Sequence, residues 1–186
     1  MVGALLGYLL LFAPLVLYPS VFATWGLSTA AGGLVLSCLP AGFALAAVGA
    51  NVLHLRAANR QRVVVGAVGV FAGVTANIVL WRSPGLVAVV LLLMGAFLGL
   101  VIPANNATVM GAVPASASAV TGGMVNVARA LGTALGVAVA AMGLHVAELH
   151  HWVGPQVVLG ALALCSIALA ATTLGQQTTP GKAEEK

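Results

Sequence analysis

Charge is what this chain lacks most. Asp, Glu, Lys and Arg make up 5% of its 186 residues, where a soluble domain carries about a quarter. So little charge cannot cover a domain with a hydrated surface, which excludes a soluble globular fold. No Asp and no Lys falls in any of the six hydrophobic stretches. Proton-coupled transporters load and release the proton on an intramembrane Asp, Glu or His, so the chain alone lacks the groups for that chemistry. Cysteine is equally scarce. Cys38 and Cys165 lie inside apolar runs, where a thiol behaves as a small hydrophobe, and no disulfide framework or sulfur-based metal site follows from them. There is no nucleotide-binding loop, no H-E-x-x-H helix and no Ser/His/Asp set, so no enzyme, cofactor or metal is expected. The polar–apolar alternation of a membrane barrel is missing, so the spans are helices. No Lys or Arg precedes the first apolar stretch. It therefore reads as a span rather than a cleaved signal, and the missing basic region points to a chain that begins inside something larger.

What is present is apolar length. The composition is 61% hydrophobic with a mean hydropathy of +1.13. A crossing needs ~20 apolar residues, and the chain accommodates six, at about 2–22, 28–53, 63–81, 86–102, 120–144 and 153–174. The expected fold is an all-α membrane protein, a six-helix transmembrane bundle over residues 1–175, with a polar tail over 176–186. Pro14, Pro19 and Pro40 fall inside spans, where neighbouring helices cover the freed carbonyls. Pro103-Ala104-Asn105-Asn106 reads as the stop of the fourth span, and residues 104–120 as a loop with room for a short interfacial helix. The 23 Gly, many within the apolar runs, allow close helix packing.

Orientation follows from the loops. Six crossings place both termini with the second-to-third and fourth-to-fifth connections, and that side holds Arg56, Arg60, Arg62, Lys182 and Lys186. The other side holds only Arg82 in its loops, so both termini are expected in the cytoplasm of a cell whose plasma membrane the protein spans. Trp25, Trp81 and Trp152 all fall at span ends on the opposite face, where indoles favour the headgroup region. The net charge of +4 sits at span ends, so it reports topology and no nucleic-acid partner.

The strongest local pattern is in the fifth span. Gly122, Asn126, Arg129, Thr133 and Gly136 recur at helical spacing and share one face. A stripe that polar is costly against lipid, so it should point into the bundle or towards a wet cavity, which makes Gly122, Asn126, Arg129 and Thr133 the substrate-pathway candidates. Gly132 and Gly136 form a G-x-x-x-G pair for close backbone contact. Arg129 is the only ionisable residue well inside a span, at a cost between ~2.5 and ~17 kcal/mol near the bilayer centre. Two readings stand: a charge in the substrate pathway, or an Arg that snorkels to headgroups or pairs with backbone carbonyls. Between the fifth and sixth spans lies His145-Val146-Ala147-Glu148-Leu149-His150-His151. Its spacing allows metal binding or pH sensing, but a solvated loop offers no rigid set of ligands.

The fifth span, with Gly123, Asn126, Arg129, Gly132 and Gly136 in a G-x-x-N-x-x-R-x-x-G-x-x-x-G order, resembles the penultimate helix of drug:proton antiporters of the major facilitator superfamily. The likeness is to the fourteen-helix multidrug exporters. The stretch from Leu39-Pro40-Ala41-Gly42 to Asn59-Arg60-Gln61-Arg62 resembles the second copy of that superfamily's cytoplasmic loop motif. Gly49, Arg56, Arg60 and Arg62 fit it, and the motif's Asp is absent. The resemblance implies the C-terminal six-helix half of such a transporter. It implies efflux of small hydrophobic or cationic compounds, driven by protons through acidic residues in the other half. Substrate would bind between halves near the midplane, and one half would rock against the other. The partner would be a missing N-terminal half or a second copy of this chain. A membrane scaffold or inactive remnant is the reading from another class.

Overall fold

The computed structural model describes residues 1–52, 59–149 and 154–175. The described residues form six long helices: α1 (Val2–Thr24), α2 (Thr29–Val52), α3 (Asn59–Leu80), α4 (Pro84–Gly111), α5 (Ser118–Leu149) and α6 (Gly154–Gly175). All six are long and apolar enough to cross a membrane. Their outward faces carry large apolar side chains, with Leu34, Leu45, Val79 and Leu164 each at least 70% exposed, as expected where lipid is the solvent. The described residues are an all-helical bundle with the lengths and apolar surfaces that suit a membrane.

Two boundaries depart from the sequence reading. The fourth helix runs through Pro103 to Gly111, so Ala104, Asn105 and Asn106 are helical rather than a stop. A Pro within a helix frees the carbonyl four residues earlier, here Gly99, and a membrane helix tolerates this where a neighbour packs over the gap. Gly99 lies directly against Phe43 and Ala46 of α2. The expected loop over 104–120 shrinks to three residues before a single 3₁₀ turn, Ala115–Ala117. The fifth helix runs on to Leu149, which places His145 and Glu148 on exposed helix rather than in a loop. His150, His151 and Trp152 lie outside the described residues, as do Arg56 and the 176–186 tail.

Glycines set the register of the bundle. Gly132 and Gly136 of α5 lie on the backbone of α1 at Leu5 and Leu9, so these two helices run parallel. Gly42 of α2 meets Leu92 and Ala96, while Gly95 and Gly99 of α4 meet Leu39 and Phe43, a second parallel pair. Gly66, Gly69 and Gly73 of α3 meet Val101, Phe97 and Met94 in descending order, so α3 and α4 are antiparallel. Absence of a Cβ permits this backbone contact, and close packing replaces the hydrophobic drive that lipid removes. The plan repeats. Helix α2 lies along α4 as α5 lies along α1, α3 packs on α4 as α6 packs on α1, and α3 also meets α6. Helices α1 and α4 are the most enclosed, and α2 and α5 the least.

Helix α1 ends in a defined way. Gly26 adopts φ 67°, a conformation that Gly enters without a Cβ penalty. Its N–H donates to Ala23 and that of Leu27 to Phe22, which closes the last turn and satisfies two terminal carbonyls. Trp25 lies against Phe22, whose ring stacks on Tyr18. Trp81 follows α3 directly, with the Arg82 guanidinium 5.4 Å from its ring centre. The Tyr18–Asn77 contact between α1 and α3 places both helix ends, and hence Trp25 and Trp81, at one end of the bundle.

Candidate functional site

The fifth helix buries small residues. Ala128, Gly132, Gly136 and Ala140 recur every four positions and are buried, with Gly132 and Gly136 on the backbone of α1. Arg129 and Thr133 each follow a seam residue by one position, about 100° round the helix from it, while Gly136 belongs to both the stripe and the seam. Asn126 and Arg129 are therefore exposed, and Gly122 and Thr133 half-buried. Of the stripe expected to point into the bundle, Gly136 is buried on α1, while Asn126 and Arg129 stand outside the packing of these six helices. The seam went to the face that lets two backbones touch, and the polar flank was left uncovered.

Arg129 stands 11 residues into α5 (129 − 118), or about 16 Å along it. Its guanidinium lies over the Tyr8 ring of α1, 5.9 Å from the centroid. A cation over a tyrosine face is stabilised by the ring quadrupole, by about 0.5–2 kcal/mol depending on how dry the site is. Asn126 lies one turn before it and Thr133 one turn after, so an amide, a guanidinium and a hydroxyl line one flank. Tyr8 continues into an open strip of α1. Phe12 is half-buried and Pro19 exposed at the same helical spacing. Pro19 borders a groove of about 340 Å³ shared with Gly32, Gly33 and Leu36 of α2. The uncovered wall thus runs from α5 beside Tyr8, up α1, to α2 beside Pro19. On the far flank of α5, an apolar groove of about 490 Å³ lies between Met1, with Val2 and Leu5 of α1, and Val120, Met124 and Val127 of α5.

The three packing glycines of the fifth span separate. Gly132 and Gly136 pack on α1, whereas Gly123 is exposed and a Cβ there would meet nothing within 4 Å. Of the loop-motif residues, Gly49 is half-buried on α2 and a Cβ there also meets nothing within 4 Å. Arg62 is half-buried at the start of α3. It shares the face of Gly66, Gly69 and Gly73, and the α3–α4 register puts it level with Asn105. The Arg56 motif position and the Arg60 side chain lie outside the described residues.

Sequence reasoning missed two polar features. Tyr18, fully buried, donates its hydroxyl to Asn77 Oδ1 at 2.7 Å, joining α1 to α3 through the core. Asn105, 3% exposed, lies against Gly3 of α1, where a Cβ would come 2.8 Å from its Oδ1. Asn77 is a lone amide in an apolar run, and Asn105-Asn106 after Pro103 reads as a helix stop, so no periodicity marks either as core. Only the high cost of an unpaired amide in hydrocarbon could have flagged Asn77. No family model matches this chain, and no curated protein or solved structure matches it either.

Proposed function

We propose that this chain is one six-helix half of a transmembrane exporter of small hydrophobic or cationic compounds, akin to the fourteen-helix drug:proton antiporters of the major facilitator superfamily. The observation that carries the reading is the polar flank of α5, with Arg129 about three turns into the helix, left uncovered by the chain's own helices. Such a flank is costly against lipid and calls for a second body with a wet space between. The repeated plan of α1–α3 and α4–α6 supports it, since transporters of this kind are built from three-helix repeats with substrate held between halves. The covering body is an N-terminal half or a second copy of this chain.

Both termini face the cytoplasm in this reading, on the Arg-rich side. A cysteine at Ala112, between α4 and α5, should be labelled from the cytoplasm, and one at Ser83, between α3 and α4, from outside. Cys38 and Cys165 are replaced first. Labelling of both sites from one side overturns the topology.

The chain alone carries no carboxylate on its described helices other than Glu148, near the end of α5. Purified into liposomes with an imposed pH gradient and a fluorescent cationic dye, it should move no dye. Adding an N-terminal half from a related exporter should start gradient-driven movement. Movement by this chain alone overturns the single-half reading in favour of a self-sufficient dimer. No movement with any second half leaves a non-transporting scaffold.

A further inference from the structure

We infer that Arg129, with Asn126 and Thr133, forms a binding site for an organic anion, a sulfonate or carboxylate on an apolar body. The inference rests on the transporter reading, because it names what that half's wall would hold. It departs from the cationic substrate that the family resemblance implies.

The charge balance carries it. Arg129 is exposed about three turns into α5, and its ring partner Tyr8 orients it without neutralising it. The chain holds three carboxylates, Glu148, Glu184 and Glu185. Glu148 is the one among the described residues, 19 positions further along α5 (148 − 129), or about 28 Å away along the axis. No carboxylate of the described helices can therefore pair with the guanidinium. An uncompensated cation on an uncovered wall at membrane depth is costly and is relieved by an incoming anion. A cationic substrate would meet repulsion at the same place.

The geometry fits the ligand class. A guanidinium is a planar fork that takes two oxygens of a carboxylate or sulfonate at once. Asn126 supplies amide donors one turn before it, and Thr133 a hydroxyl one turn after. All three lie on one flank over about 10 Å of helix, with Arg129 between the other two. The apolar part of the ligand has a surface at hand in the strip of α1 from Tyr8 to Phe12. Small-molecule sites of this kind are mostly apolar, with a few placed polar groups that fix orientation.

The test uses the full chain in phosphatidylcholine nanodiscs and two probes with one apolar body, pyrenebutylsulfonate and pyrenebutyltrimethylammonium. Binding is read by fluorescence anisotropy against empty nanodiscs. The sulfonate should bind about tenfold or more tightly than the ammonium. Arg129→Gln should abolish that preference, and Arg129→Lys should keep part of it, since the charge remains while the planar fork is lost. Size-exclusion profiles show whether each variant stays folded. If Arg129→Gln fails to fold, Arg129→Lys and Asn126→Ala carry the test, and each must weaken the sulfonate alone. Equal binding of the two probes, or a preference that survives Arg129→Gln, overturns the inference. So does loss of sulfonate binding when a few per cent phosphatidylglycerol is added, which would assign the site to lipid headgroups. Anion binding without transport in liposomes leaves this site standing and removes the exporter reading. Transport with no anion preference does the reverse.

Discussion

Gly95→Ala is expected to destabilise the bundle by about 1–3 kcal/mol, and Gly95→Leu to leave no folded protein in detergent. A Cβ at Gly95 would run into the backbone carbonyl of Leu39. Backbone cannot rotate away as a flexible side chain can, so α2 and α4 must separate. Separation at one point also lifts Gly42 off Leu92 and Gly99 off Phe43, because all three glycines share the α2–α4 seam. Dispersion contacts fade steeply with distance, so a small gap along the seam removes much of its attraction. The opposing term is helix propensity, where Ala gains about 1 kcal/mol over Gly in a helix interior. That term acts alone at Gly123, where a Cβ meets nothing within 4 Å. Gly123→Ala should therefore be neutral or slightly stabilising. Titrating the folded fraction with a denaturing detergent compares the two. Equal stability of Gly95→Ala and Gly123→Ala would show that the α2–α4 seam is not a tight backbone contact.

Hydropathy located all six helices, because burial in lipid demands an apolar run of a definite length. It underestimated α4 and α5, since the window responds to the hydrocarbon layer and a helix does not stop at its edge. Pro103 misled for a related reason. A helix breaker in water is tolerated in a packed membrane helix, and nothing in the local sequence distinguishes the two cases. The fifth span shows where pattern reading runs out. Its small face (Ala128, Gly132, Gly136, Ala140) and its polar face (Asn126, Arg129, Thr133) sit side by side on one helix. Both avoid lipid, and periodicity alone does not say which face the chain's own helices take. Close backbone packing decided it, and Gly132 was the legible clue. Tyr8, the ring beneath Arg129, comes from a helix more than a hundred residues away and carries no sequence signal of the pairing.

Breaking the Tyr18–Asn77 hydrogen bond from one side should cost more than removing it from both. Asn77→Leu leaves the Tyr18 hydroxyl buried without its acceptor, in a core where Tyr18 is 0% exposed. An unsatisfied buried donor costs about 1–3 kcal/mol. Tyr18→Phe strands the Asn77 amide in the same way, with Asn77 only 1% exposed. The double variant Tyr18→Phe/Asn77→Leu removes donor and acceptor together and keeps the volume close to native. It should recover part of the loss, with a coupling energy of about 0.5–2 kcal/mol, in the range of hydrogen bonds between membrane helices. The bond also joins α1 to α3, which make no close backbone contact of their own. Its loss should therefore loosen the end of the bundle that carries Trp25 and Trp81, and leave the glycine seams intact. Detergent-unfolding midpoints for the wild type, both single variants and the double variant close the cycle, with Trp25 and Trp81 fluorescence as the local readout. Additive effects in the two singles would mean that the pair is adjacent without being coupled, and that α1 and α3 are held by apolar packing alone.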